Sequence, residues 1–427
     1  MAAAGAVVNA RLHTLSNGLR VLFDPMPRLE TFALSVVIAD GSRWEPEDRA
    51  GWSHMLEHMV FKGAGRRSAR DIVEEIESAG AQINAATGHE RTSFQVRALK
   101  GDLELGMSVL SDLLFRPTLD AADLEREKQV IAQEIAEAFD TPDDRVFDLV
   151  QAQAFADQSL GRPILGLEES IAPATPDTLE AWRRTLYAPQ RMAVSVAGAA
   201  DEDEVLRLAE TWFGSEPPGE GTELPAPARF TGGTAGEVRR IEQANIVLNL
   251  PAPGARDPDY YAIRLFAEIL GGGMASRLFQ QAREERGLAY SIDAWVDLYD
   301  DVGVLGVFAG ASAGKAADLC RLVAAEVQSL AEAPTEAELA RSKAQVKGSM
   351  FMAQESPLAR AEVAANQLFL FGRVLQASEV AAAINAVTLE DLRRVGARML
   401  GPGLSAAAVL GPRSALPAPR AFSEAML

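Results

Sequence analysis

The sequence predicts an α+β protein of two homologous domains, each an antiparallel β-sheet packed with helices. Three observations predict this class. The chain has 427 residues, more than one hydrophobic core usually supports, so two or more domains are expected. A Gly- and Pro-rich stretch at residues 214–236, GSEPPGEGTELPAPARFTGGTAG, lacks apolar periodicity and reads as a linker between residues 1–213 and 237–427. The order of elements then repeats on either side of it, as an internal duplication would require.

In the first half, TFALSVVIADGSR alternates as a strand and leads into GWSHMLEHMVFKG, where Leu56, Met59 and Val60 support a helix and Gly63 ends it. SARDIVEEIESAGAQ has helical spacing, and INAATGHERTSFQVRAL ends in strand alternation. DLELGMSVLSDLLF and the acidic LEREKQVIAQEIAEAF follow as amphipathic helices. The second half repeats the scheme: EQANIVLNLPAPG, then AIRLFAEILGGGM, then SRLFQQAREERGLAY before SIDAWVDLYDDVGVLGVFAG, then KAADLCRLVAAEVQSLAEA. Antiparallel strands with helices on one face are the expectation.

Composition narrows the function. With 48% hydrophobic and 24% charged residues the chain is an ordinary folded protein. A formal charge of -19 and a pI near 4.8 argue against nucleic acid and against anionic membranes, and suit cationic ligands. The single cysteine, Cys320, excludes an intramolecular disulfide and a cysteine-built zinc site, and its helical context marks it as a buried small hydrophobe. The opening MAAAGAVVN is too short for a secretory signal, and no stretch approaches the length of a membrane span. A bacterial cytoplasmic protein is expected.

Only four histidines occur, yet His54 and His58 lie four apart with Glu57 between them. On a helix, positions i and i+4 share a face, so the two imidazoles can meet one metal ion. Glu57 can reach a water at that ion without ligating it. HxxEH is the reverse of the HExxH zinc arrangement. A catalytic zinc site takes three protein ligands, and the acidic helix at residues 124–139 offers Glu125, Glu127, Glu134 and Glu137 as the third. Glu127 and Glu134 are two turns apart and share a face.

His54, Glu57, His58 and Glu134 together resemble the zinc site of the pitrilysin (M16) metallopeptidases, most closely the mitochondrial-processing-peptidase-like branch with its half-size subunits. The resemblance spans nearly the whole chain and implies the LuxS/MPP-like metallohydrolase fold. It implies one zinc ion per chain held by His54, His58 and Glu134, with Glu57 as general base and Glu127 as a supporting carboxylate. The run QINAATGHERTSFQV resembles the family's peptide-pairing strand edge, with Asn84 and Ala85 at its backbone-binding positions, and Phe61 matches an aromatic bordering the pocket beyond the cut. Arg283 and Tyr290, seven apart, match a pair that contacts substrate and the oxyanion. Asp144 and Asp148 match acidic positions that receive a basic side chain. Peptide substrates and a homodimer follow, with a heterodimer beside a zinc-free paralogue as the alternative.

Two apparent motifs carry no such weight. GASAGKAA at 310–317 is one residue short of a phosphate loop and lacks its Ser/Thr, and the glycines at 271–273 read as a helix terminator. A zinc lyase with the same HxxEH would need a functional cysteine, for which Cys320 is badly placed.

Overall fold

The computed structural model describes residues 10–426 apart from 220 and 222. The N-terminal stretch at residues 1–9, expected to be too short for a signal, and two positions of the expected linker lie outside the described residues. The first sheet has six strands, β1 (Arg11–Thr14), β2 (Arg20–Pro25), β3 (Thr31–Ile38), β4 (Gln82–Thr87), β5 (Thr92–Leu99) and β6 (Met192–Gly198), ordered β1-β2-β6-β3-β5-β4. The second has five, β7 (Gly233–Val238), β8 (Gln243–Ala252), β9 (Ser291–Leu298), β10 (Gly303–Ser312) and β11 (Ala406–Gly411), ordered β9-β10-β8-β11-β7.

Read from β4 and from β9, the two orders match strand for strand, with β1 as an addition to the first sheet. Each has an edge strand, its hairpin partner, a central strand, a strand from the end of the repeat, and a last strand parallel to that one. The duplicated organisation expected from the element order is therefore present. The sheets are antiparallel but for one parallel pair each, β2 with β6 and β7 with β11. Period-2 alternation is the same for both directions, which is why it does not reveal such a pair.

The strands of the first sheet point Phe32, Leu34, Val36 and Ile38 into one core with Met55, Leu56, Met59 and Leu110 from helices. Its other face is not open. Leu22, Val37 and Ala193 are covered by Ala364, Ala365 and Leu368 of the helix Pro357–Phe371. In the second sheet, Val247, Ala406 and Ala408 are covered in the same way by Val146 and Val150 of the helix Pro142–Ala154. The expectation of helices on one face is corrected accordingly: both faces are covered, which keeps β3 and β6 apolar along nearly their whole length.

The covering helices come from the opposite halves of the sequence. One compact unit comprises the described residues up to Ile135 with Pro163–Pro225 and Met350–Glu379, and the other comprises Ala136–Arg162, Ala226–Ser349 and Val380 onward. These units differ from the contiguous stretches expected around the linker, because each sheet takes its second cover from a helix encoded in the other half. The described residues of 214–232 hold no helix or strand, while Gly233 to Gly236 of the expected linker open β7.

Two smaller readings are refined. SRLFQQAREERGLAY forms a π-helix at Phe279–Glu285 rather than an α-helix. GASAGKAA ends β10 and turns into the helix Ala316–Glu332, with Lys315 Nζ donating to the Gly287 carbonyl at 2.8 Å, so it encloses no loop for phosphate. Cys320 is fully buried and burial pushes its thiol up to about 12. Among the described residues, no helix is long and apolar enough to cross a membrane.

Candidate metal centre

GWSHMLEHMV forms the helix Trp52–Val60, and Met55, Leu56, Met59 and Val60 anchor it in the core. That anchoring leaves His54, Glu57 and His58 half-buried on the remaining face. The helix begins at Gly51 in the left-handed region, φ 88°, where a glycine is favoured but offers no capping side chain. Glu45 caps the helix from outside. Its carboxylate, only 3% exposed, accepts the Gly51 N–H at 2.8 Å and the Ser53 N–H at 2.6 Å. Ser170 adds a second tie, donating its hydroxyl to the Ala50 carbonyl and accepting the Trp52 indole N–H at its own carbonyl.

The acidic helix spans Ala121–Asp140 and buries Leu124, Glu127 and Ile131, a face that continues to Glu134. Glu125 and Glu137 point to solvent. Glu134 Oε2 lies 3.5 Å from His58 Nε2 and 3.9 Å from His54 Nε2. It is buried without a hydrogen-bond partner, as is His54 Nδ1. Both separations are long for a hydrogen bond, whereas two ligands held tetrahedrally at zinc's usual bond lengths stand about 3.4 Å apart. The three side chains therefore fit a divalent ion of that kind, and among the described residues theirs is the one such group of three or more His, Cys, Asp or Glu side chains.

The surrounding contacts prepare these atoms for ligation. His58 Nδ1 is 3.1 Å from Glu127 Oε2, which fixes the proton on Nδ1 and leaves the Nε2 lone pair facing Glu134. Glu127 is itself buried and pairs through Oε1 with Lys62 Nζ at 2.7 Å. Burial, and then the neighbouring His58, lower the pKa of His54 to about 4, so its ring is neutral at physiological pH. Glu57 Oε2 accepts the Thr87 hydroxyl at 2.6 Å. Burial raises the Glu57 pKa, and the Thr87 hydroxyl is the largest influence opposing that rise. Lys62, Thr87 and Glu45 were not singled out by motif or spacing, because each acts through a contact distant in sequence or on an unremarkable residue.

Similarity to known proteins agrees with this geometry. Residues 20–168 match the family described as Insulinase (Peptidase family M16), and residues 173–346 match the Peptidase M16 inactive domain. A Bacillus subtilis protein described as an uncharacterized zinc protease, YmxG, is 34% identical over 407 residues, covering 95% of this chain and 99% of its own length. A Rickettsia felis protein, likewise described as an uncharacterized zinc protease, is 32% identical over 405 residues, covering 95% and 98%. The chain belongs to peptidase family M16. The fold agrees: a protease from Helicobacter pylori superposes with a TM-score of 0.87 at 22% identity, covering 95% of this chain and all of that one. A chain of complex III from Candida albicans gives 0.85 at 19%, covering 98% and 100%. The candidate metal centre lies within the span matched by the first M16 description, and the inactive-domain match begins after it.

The other positions singled out by the M16 resemblance are placed as follows. β4 is an edge strand paired only with β5, Asn84 is exposed on it, and Ala85 packs half-buried on the core. A groove beside it is lined by Gln82, Ile83, Asn84, Gln95, Arg97 and Leu358. Phe61 caps the histidine helix and stacks on Phe94, with ring centroids 6.4 Å apart, so it packs on the core with one edge accessible. His89 is buried, with Nδ1 3.1 Å from the Ser42 hydroxyl, a structural role. Arg283 and Tyr290 belong to the second unit, where both are exposed, the guanidinium lying 4.7 Å from the Phe279 ring centroid. Asp144 and Asp148 are on the helix that covers the second sheet, Asp144 exposed and Asp148 half-buried, its carboxyl pushed up by burial.

Proposed function

We propose that the protein is a zinc-dependent endopeptidase of the mitochondrial-processing-peptidase-like branch, acting on extended peptides and unfolded segments. The observation that carries this reading is the buried, unpartnered Glu134 Oε2 facing two imidazole nitrogens at 3.5 and 3.9 Å, with Glu57 beside them. A zinc ion at His54, His58 and Glu134 would supply Lewis-acid polarisation of a peptide carbonyl and a lowered water pKa. Glu57 is the general base: it takes the proton of the attacking water and passes it to the leaving amine. Glu127 and Lys62 hold the His58 ring in its ligating tautomer. β4 offers its free edge to an extended backbone, with Asn84 and Ala85 as the pairing positions and Phe61 beside them.

Arg283 and Tyr290 are assigned to substrate contact and oxyanion stabilisation, and Asp144 with Asp148 to a basic substrate residue, which suits the net charge of -19. A homodimer with one zinc ion per chain completes the proposal. The test is zinc content by mass spectrometry together with cleavage of a mixed peptide library by wild type and Glu57→Gln. The expected result is zinc in both proteins and cleavage by the wild type alone. Zinc in a wild type that cleaves nothing would instead make the chain a non-catalytic member or a subunit awaiting a partner.

A further inference from the structure

β4 alternates in a way its position does not explain. Ile83 and Ala85 turn inward onto the core, and Thr87 takes the next inward position with a hydroxyl where an apolar side chain would pack as well. That hydroxyl donates to Glu57 Oε2 at 2.6 Å, short for a bond of this type and charge-assisted. The Thr87 backbone amide also faces the same carboxylate. Two groups from one residue therefore bracket Glu57. The residue is the last of the strand whose free edge is the proposed peptide track, so the strand that would align the substrate also holds the base.

We propose that Thr87 is a positioning residue that locks the Glu57 carboxylate in register with β4, so that substrate and base share one rigid reference. Resting on the peptidase reading above, this adds a residue that its motif does not contain. A carboxylate on a flexible side chain samples several rotamers, and misplacement of a base by a fraction of an ångström forfeits much of its contribution. Valine keeps the β-branched shape and strand preference of threonine and deletes only the hydroxyl. Serine restores the hydroxyl with one methyl fewer.

The experiment compares wild type, Thr87→Val and Thr87→Ser in steady-state kinetics on one cleavable peptide, with zinc content measured alongside and crystal structures of both variants. Thr87→Val is expected to lose about 10- to 100-fold in kcat with KM within about twofold, and Thr87→Ser to stay within about threefold of wild type. Zinc content is expected to be unchanged in both. In the crystal structures Glu57 leaves its position in Thr87→Val and keeps it in Thr87→Ser. Wild-type kcat in Thr87→Val, an equal loss in both variants, or a Glu57 carboxylate unmoved in Thr87→Val would overturn the proposal. A wild type that cleaves no peptide counts against the peptidase reading alone, and the two crystal structures then decide on Thr87.

Discussion

Replacing Glu45 with alanine should loosen the metal-bearing helix at its first turn. The carboxylate is 3% exposed and accepts two backbone N–H groups at 2.8 and 2.6 Å. Hydrogen bonds to a charged acceptor each contribute about 1.5–3 kcal/mol. Deletion also strands two donors in a buried place, which water entering the vacated space can serve only in part. A net loss of about 3–5 kcal/mol follows. Glu45→Gln should lose roughly half as much, since its amide oxygen still accepts one N–H while its NH2 group meets the other donor. The assay is urea unfolding of the metal-free protein followed by circular dichroism, paired with zinc affinity by chelator competition. His54 directly follows Ser53, so a frayed first turn carries a ligand with it, and zinc affinity should fall about tenfold, the scale seen when outer contacts of a metal site are removed. A Glu45→Ala protein within about 1 kcal/mol of wild type would refute the argument that this carboxylate anchors the helix.

Two further outcomes follow from buried charge. Arg360 Nε donates to Asp24 Oδ2 at 2.7 Å, with the two side chains 8% and 3% exposed, so Asp24→Asn should cost about 3–5 kcal/mol in urea unfolding, while Asp24→Leu combined with Arg360→Met in one protein costs far less. His89 is held neutral, its pKa lowered from 6.5 to about 4 by burial and then by Arg43. The unfolded chain takes up that proton first, so the stability of the metal-free protein should be complete above pH 6.5 and fall as the pH drops toward 4, by ~3 kcal/mol from this residue. Thermal melts across that range should show a shallower fall in His89→Asn, and an unchanged slope would contradict the assignment.

The parts of this molecule that were legible in the sequence are those whose partners are close along the chain. His54, Glu57 and His58 lie within two turns of one helix, so their shared face follows from helical period alone. On the acidic helix the same period pairs Glu127 with Glu134 but does not choose between the four candidate carboxylates. The choice rests on which face Leu124 and Ile131 bury, a tertiary fact. Thr87 and Glu45 were illegible because one looks like any strand threonine and the other like any loop glutamate until Glu57 and Gly51 are placed beside them. The exchange of the helices Pro142–Ala154 and Pro357–Phe371 was hidden for a related reason. An apolar stripe such as that of Val146 and Val150 satisfies any apolar sheet face of suitable shape, and its sequence does not say which.

Zinc K-edge X-ray absorption of the purified protein tests the central claim most directly. Ligation by His54, His58 and Glu134 predicts a first shell of nitrogen and oxygen alone at about 2.0–2.1 Å, with outer scattering from two imidazoles. That pattern should be lost in Glu134→Ala or reduced to one imidazole in His58→Ala. A wild type without zinc, a shell containing sulfur, or a spectrum unaltered by both substitutions would contradict the account.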